Sequence, residues 1–64
     1  SFVDLVARER LLSARHFLVN SDYRMKEIAQ LCGLGSAEHF NRLFRQRVGL
    51  TPGEYRRRHR TTLI

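Results

Sequence analysis

Three observations predict an all-α fold of four helices for this chain. Apolar residues recur at spacings of three and four over most of its length, the period of a helix face. Glycines and capping residues cut that pattern into segments of helical length. No stretch alternates apolar and polar residues in the way a half-buried strand requires.

The first helix is expected over roughly residues 4–19, with Val3, Ala7, Leu11, Ala14 and Leu18 forming one apolar stripe. Leu12 and Phe17 widen that stripe beyond what one facing surface needs, which implies a second contact surface, such as a neighbouring domain. Asn20-Ser21-Asp22 interrupts the pattern and supplies capping oxygens. The second helix carries Met25, Ile28, Ala29 and Cys32 on one face and ends at Gly33, a residue suited to the left-handed conformation past a helix end. Gly33-Leu34-Gly35 is the turn, with Leu34 as the apolar plug that sets the angle between the flanking helices.

Ser36 caps the third helix, whose buried side is Phe40, Leu43, Phe44 and Val48 until Gly49 stops it. Thr51-Pro52-Gly53-Glu54 spells a capping box, with threonine at the cap, proline at the first helical position and glutamate at the third. It opens a fourth helix to about Arg60, with Tyr55 facing inward and residues 61–64 as a frayed tail. Residues 1–20 thus read as a connecting helix and residues 21–60 as a helix-turn-helix subdomain.

Composition limits the possible roles. A chain of 64 residues with 42% apolar content is one small domain, and it has no apolar run approaching the ~20 residues of a membrane span. It begins Ser1-Phe2-Val3-Asp4, with no initiator methionine and no secretory leader, which reads as a piece excised from a longer protein. Its one cysteine, Cys32, excludes an internal disulfide framework. Because Cys32 falls at helical spacing with Ile28 and Ala29, it reads as a small buried hydrophobe rather than a redox or metal group. His16, His39 and His59 are too far apart in sequence, and too short of acidic or thiol neighbours, to suggest a metal site. No nucleophile–base arrangement or phosphate-binding loop occurs, so neither an enzyme nor a cofactor is expected.

The charge is unevenly placed. Up to residue 38, five cations (Arg8, Arg10, Arg15, Arg24, Lys26) balance five acids (Asp4, Glu9, Asp22, Glu27, Glu38). From residue 39 onward, seven arginines (42, 45, 47, 56, 57, 58 and 60) face Glu54 alone, so the whole net charge of +6 falls in this part. A one-sided basic surface attracts polyanions through counterion release, nucleic acid before anionic lipid. A cationic amphipathic module on a membrane is the weaker reading, because the glycine turn and two capping motifs specify a folded domain.

A short helix, a glycine turn, a serine cap and a second helix with phenylalanines four apart form the pattern of a helix-turn-helix, whose second helix enters the DNA major groove. Burying Phe40 and Phe44 leaves Ala37, Glu38, Asn41, Arg42 and Arg45 outside. Arg42 suits a bidentate contact to guanine, Asn41 suits adenine, and Ala37 suits a thymine methyl. Glu38 suits a cytosine amine, but it is equally an ordinary acid in a first helical turn, and it stands four residues before Arg42 as a possible ion-pair partner. Arg45, a turn beyond the groove-entering end, is expected at phosphate. Ser36 and Thr51, with the free N–H groups behind them, are expected both to cap their helices and to hold phosphates.

Four segments together resemble the second half of the DNA-binding domain of the AraC/XylS family of bacterial transcription regulators. They are Arg10-Leu11-x-x-Ala14-x-x-Phe17-Leu18; Met25-x-Glu27-Ile28-Ala29-x-x-Cys32-Gly33; Ser36-x-x-His39-Phe40-x-Arg42-x-Phe44-Arg45; and Gly49-x-Thr51-Pro52-x-x-Tyr55-Arg56. The stretch Cys32–Phe40 is also similar to members whose N-terminal domain is amidase-like. The resemblance implies two helix-turn-helix subdomains joined by a long helix, of which this chain holds the joining helix and the second subdomain. It implies double-stranded promoter or operator DNA as partner, RNA polymerase as a second possible partner, a bacterial cytoplasmic location, and no small molecule bound by this part. It favours Arg56 among the basic residues of the fourth helix as a phosphate contact.

Three positions depart from the family pattern. Leu34 stands where phenylalanine is usual, and Arg24 where a serine cap is frequent, so Ser21 or Asp22 is expected to start the second helix. His39 stands where tyrosine is frequent, which makes a pH-dependent phosphate contact possible.

Overall fold

The computed structural model describes residues 1–60, and the expected tail at 61–64 lies outside them. Four helices follow in order: α1 (Phe2–Asn20), α2 (Met25–Leu31), α3 (Ala37–Val48) and α4 (Pro52–His59), with no strand among the described residues. The expected architecture is therefore present, with α1 reaching about two residues further toward the N-terminus than its apolar pattern suggested. That extension follows from Ser1, whose hydroxyl accepts the Asp4 N–H at 3.3 Å and caps the helix.

A single core lies where the four helices meet. Leu11, Ala14 and Leu18 of α1 pack with Ile28, Ala29 and Cys32 of α2, with Leu34 of the turn, and with Phe40 and Phe44 of α3. Both phenylalanine rings are completely buried at 0% exposure and meet edge to face, their centroids 5.7 Å apart. Tyr55 of α4 adds a second edge contact to Phe44 at 5.4 Å, and the Arg15 guanidinium lies over the outer side of Tyr55 at 5.5 Å. Burial raises the Cys32 thiol above its ordinary pKa, consistent with a packing role.

Two residues of the expected stripe are not in the core: Ala7 is half-buried, and Val3 is 72% exposed. Phe2, Leu5 and Leu12 are exposed as well, Phe2 and Val3 on one side of α1 and Leu5 and Leu12 on another. The buried residues of α1 run from Leu11 to Leu18, so the periodic stripe continues past the part that the core covers. Phe17, expected to widen the stripe outward, instead packs on the core margin against Tyr23 at 5.6 Å.

Local chemistry ends and starts the helices. The Ser21 N–H and hydroxyl both donate to the Phe17 carbonyl, at 3.0 and 2.7 Å, so Ser21 finishes α1 instead of starting α2. The start of α2 rests on Glu27, whose carboxylate accepts the Arg24 N–H at 2.8 Å. This is the reciprocal half of a capping box, so a residue with no capping side chain can occupy the cap.

The turn after α2 closes in the Schellman pattern: Leu34 N–H donates to the Ala29 carbonyl at 2.7 Å and Gly33 N–H to the Gln30 carbonyl at 3.3 Å. Gly33 sits at φ +70°, which only glycine adopts without strain, and Leu34 is driven into the core at 3% exposure.

Candidate nucleic-acid interface

The outer face of α3 is positioned by the two buried phenylalanines. With about 100° between successive residues, Arg42 falls directly opposite the midpoint of Phe40 and Phe44. Glu38, Arg42, Arg45 and Gln46 are all exposed along this face. Gln46 was not singled out from the sequence, although it lies four residues beyond Arg42, the spacing that continues the same row.

Arg42 and Glu38 form no ion pair, and no hydrogen bond within the described residues holds the Arg42 guanidinium. The fork is unengaged and points away from the core. A shallow cleft between α2 and α3 gathers Ala37, Glu38, Asn41 and Arg42 beside Met25. Four expected base-contacting residues are therefore contiguous. Met25 of α2 joins them by folding, which the spacing within α3 alone does not reveal.

The helix starts supply a second set of groups. Ser36 Oγ accepts the His39 N–H at 3.1 Å, leaving its own O–H and the Ala37 and Glu38 N–H groups at the end of α3. Thr51 and Glu54 complete the expected box, with Glu54 N–H donating to Thr51 Oγ1 at 3.1 Å and Thr51 N–H to Glu54 Oε1 at 2.9 Å. Those hydrogen bonds with Thr51 hold the Glu54 carboxyl below its ordinary pKa, and the nearby Arg45 and Arg57 charges add to the effect. Arg45 of α3 is thus near enough to Glu54 of α4 for its charge to act there, a proximity the sequence did not disclose. His39 is exposed on the α1 side of α3, where it lines a groove with Arg10, Leu43 and Arg47.

Arg56, expected at phosphate, has hydrogen-bond partners within the fold. Its Nε donates to the Leu18 carbonyl at 2.9 Å and one terminal nitrogen to the Ser21 carbonyl at 3.1 Å. The fork therefore closes the C-terminal end of α1 and ties α4 to it, because unpaired helix-end carbonyls need donors. Two other arginines of the basic half are also engaged within the fold. Arg47 pairs with Asp4 at 3.1 Å and Arg60 with Asp22 at 2.8 Å. The excess charge seen in sequence is thus sorted in space, and Arg42 and Arg45 remain on the outer side of α3.

A short helix, a tight glycine turn, and a second helix whose outward face is polar and basic define a helix-turn-helix module of the DNA-binding kind. A family profile described as a helix-turn-helix domain matches residues 1–58. Among curated proteins, the chain is similar to the HTH-type transcriptional activator RhaS of Salmonella arizonae, of Salmonella paratyphi B and of Salmonella newport. Each is 45% identical over 49 residues, which cover 77% of this chain and 18% of the relative. The chain therefore spans about a fifth of the length of these relatives. No solved structure matches it. The chain belongs to the AraC/XylS family of transcription regulators, as a DNA-binding helix-turn-helix module of that family. Among the described residues, no helix is long and apolar enough to cross a membrane.

Proposed function

We propose that α3 enters the major groove of a bacterial promoter or operator, with Arg42 as its principal base-reading residue. The observation that carries this reading is the unengaged Arg42 guanidinium on the side of α3 opposite two fully buried phenylalanines. Asn41, Ala37 and Glu38 flank it in the same cleft and read neighbouring bases. Ser36, Thr51 and Arg45 hold the phosphates on either side, and His39 adds a contact on the α1 side. Arg56 has no part in this contact set, because its fork serves the end of α1. The module acts in the cytoplasm as part of a longer regulator, and one recognition helix alone gives weak binding with strong salt dependence. Linking it to a second module raises affinity through effective concentration.

The test is a titration against DNA selected from a random pool by the wild-type chain, repeated at several salt concentrations. Arg42→Ala costs ~1–3 kcal/mol on the selected sequence and flattens sequence preference, while Arg57→Ala weakens all sequences about equally. Identical behaviour of the two variants overturns direct readout by Arg42.

A second reading concerns α1. The exposed Phe2, Val3, Leu5 and Leu12 support a contact with another domain of the parent regulator or with RNA polymerase. Capture of polymerase subunits that survives Arg42→Ala supports the polymerase form, and absence of capture removes it.

A further inference from the structure

The turn that orients α3 is intrinsically soft. Gly33 and Gly35 both stand at positive φ, +70° and +81°, and glycines in such a linker resist rotation less than any other residue. Inside the turn, the Schellman closure engages the carbonyls of Ala29 and Gln30 but leaves that of Gly33 without a partner in its own segment. A group from outside the turn completes it. Arg10, on α1, donates from a terminal nitrogen to the Gly33 carbonyl at 3.1 Å across 23 residues of sequence.

The rest of the guanidinium lies against the glycine itself. A Cβ built on Gly33 would stand 3.4 Å from Arg10 Nε and 3.5 Å from its Cζ. Position 33 is therefore constrained by its left-handed backbone, and the planar group lies in ordinary van der Waals contact range of it. A flat fork can cover a glycine and donate to its carbonyl at once, whereas a lysine ammonium is a point charge on a flexible stem.

We propose that Arg10 is a positioning residue for DNA recognition: its guanidinium latches the glycine turn to α1 and so fixes the angle at which α3 is presented. This rests on the reading of α3 as the recognition helix. A recognition element needs its side chains held within roughly 0.5 Å and 10–20° of the productive geometry. Leu34 anchors one side of the turn in the core, and Arg10 secures the other. The latch acts through α3 and does not touch DNA.

The experiment compares wild type, Arg10→Ala and Arg10→Lys in two arms. Without DNA, residual dipolar couplings define the angle between α1 and α3, and 15N relaxation reports on residues 33–35. Both variants are expected to keep the helices and the core, to change the α1–α3 angle and to loosen the turn. With DNA from the selected pool, the preference for the selected over a scrambled duplex is expected to fall about tenfold in both variants. The slope of log affinity against log salt stays unchanged, because no phosphate contact is lost. An unchanged interhelical angle overturns the latch, as does full rescue of both readouts by Arg10→Lys. A salt slope reduced by about one unit overturns it in favour of a direct phosphate contact. If the wild-type chain shows no sequence preference, the recognition reading fails, while the coupling measurements still decide whether the latch exists.

Discussion

Replacing Arg56 with alanine separates a fold contact from a DNA contact. The substitution removes two charge-assisted hydrogen bonds, at 2.9 and 3.1 Å, to the Leu18 and Ser21 carbonyls at the end of α1. Such bonds contribute about 1.5–3 kcal/mol each when the removed donor leaves acceptors unpaired. Both contacts are only partly buried, so water replaces some of what is lost, and the sum reduces to about 2–3 kcal/mol. A chain of this size loses roughly 4–8 °C of melting temperature per kcal/mol, so the midpoint falls by about 8–24 °C. Helicity at 222 nm followed during heating reads this directly, and urea titration gives the free energy. Below the transition, the folded fraction of the variant keeps its sequence preference, because the α3 surface is untouched. A melting temperature equal to wild type, together with a uniform loss of DNA affinity and a shallower salt dependence, would refute the reasoning and return Arg56 to the phosphate backbone.

Other outcomes follow from the same geometry. Leu34→Ala removes the buried plug of the turn and is expected to cost about 2–4 kcal/mol, measured by urea unfolding; a cost under 1 kcal/mol would mean that the site collapses around the smaller side chain. Glu54 has a folded-state pKa below its unfolded one, so its contribution is present above the unfolded value and is lost as pH falls through the folded value. Glu54→Gln should therefore flatten the acid limb of the stability–pH curve below about pH 4.3 and leave its shape near neutrality unchanged, as melting temperatures across a pH series would show. Gly33→Ala and Gly35→Ala are each expected to destabilise by about 1–2 kcal/mol, because both positions hold a left-handed backbone; thermal melts equal to wild type would refute this.

Much of this molecule is specified within short stretches of chain. Ser36, the Thr51–Glu54 box, Gly33 and Gly49 act on backbone groups within five residues of themselves, so each helix end is visible in the sequence. The outward placement of Arg42 follows from the same locality, because helix geometry places it opposite Phe40 and Phe44 once those rings are buried. The start of α2 misled for a local reason as well. Glu27 reaches back to cap the helix, so Ser21 is left to finish α1.

The fate of the other arginines was decided by tertiary structure. In sequence, Arg10, Arg47, Arg56 and Arg60 are indistinguishable from Arg42 as sources of charge. Folding places Arg10 on the turn carbonyl, Arg56 on the end of α1, Arg47 on Asp4 and Arg60 on Asp22. A guanidinium on a long flexible stem takes whichever acceptor the fold brings within reach, and those acceptors lie 23 to 43 residues away along the chain. The burial of α1 was undetermined for the same reason: periodicity shows that a helix has an apolar face, but only the positions of α2 and α4 decide which part of it is covered. Local chemistry thus wrote the helices, their ends and the outer face of α3. Packing between distant segments chose which charges remain on that face and which hold the molecule together.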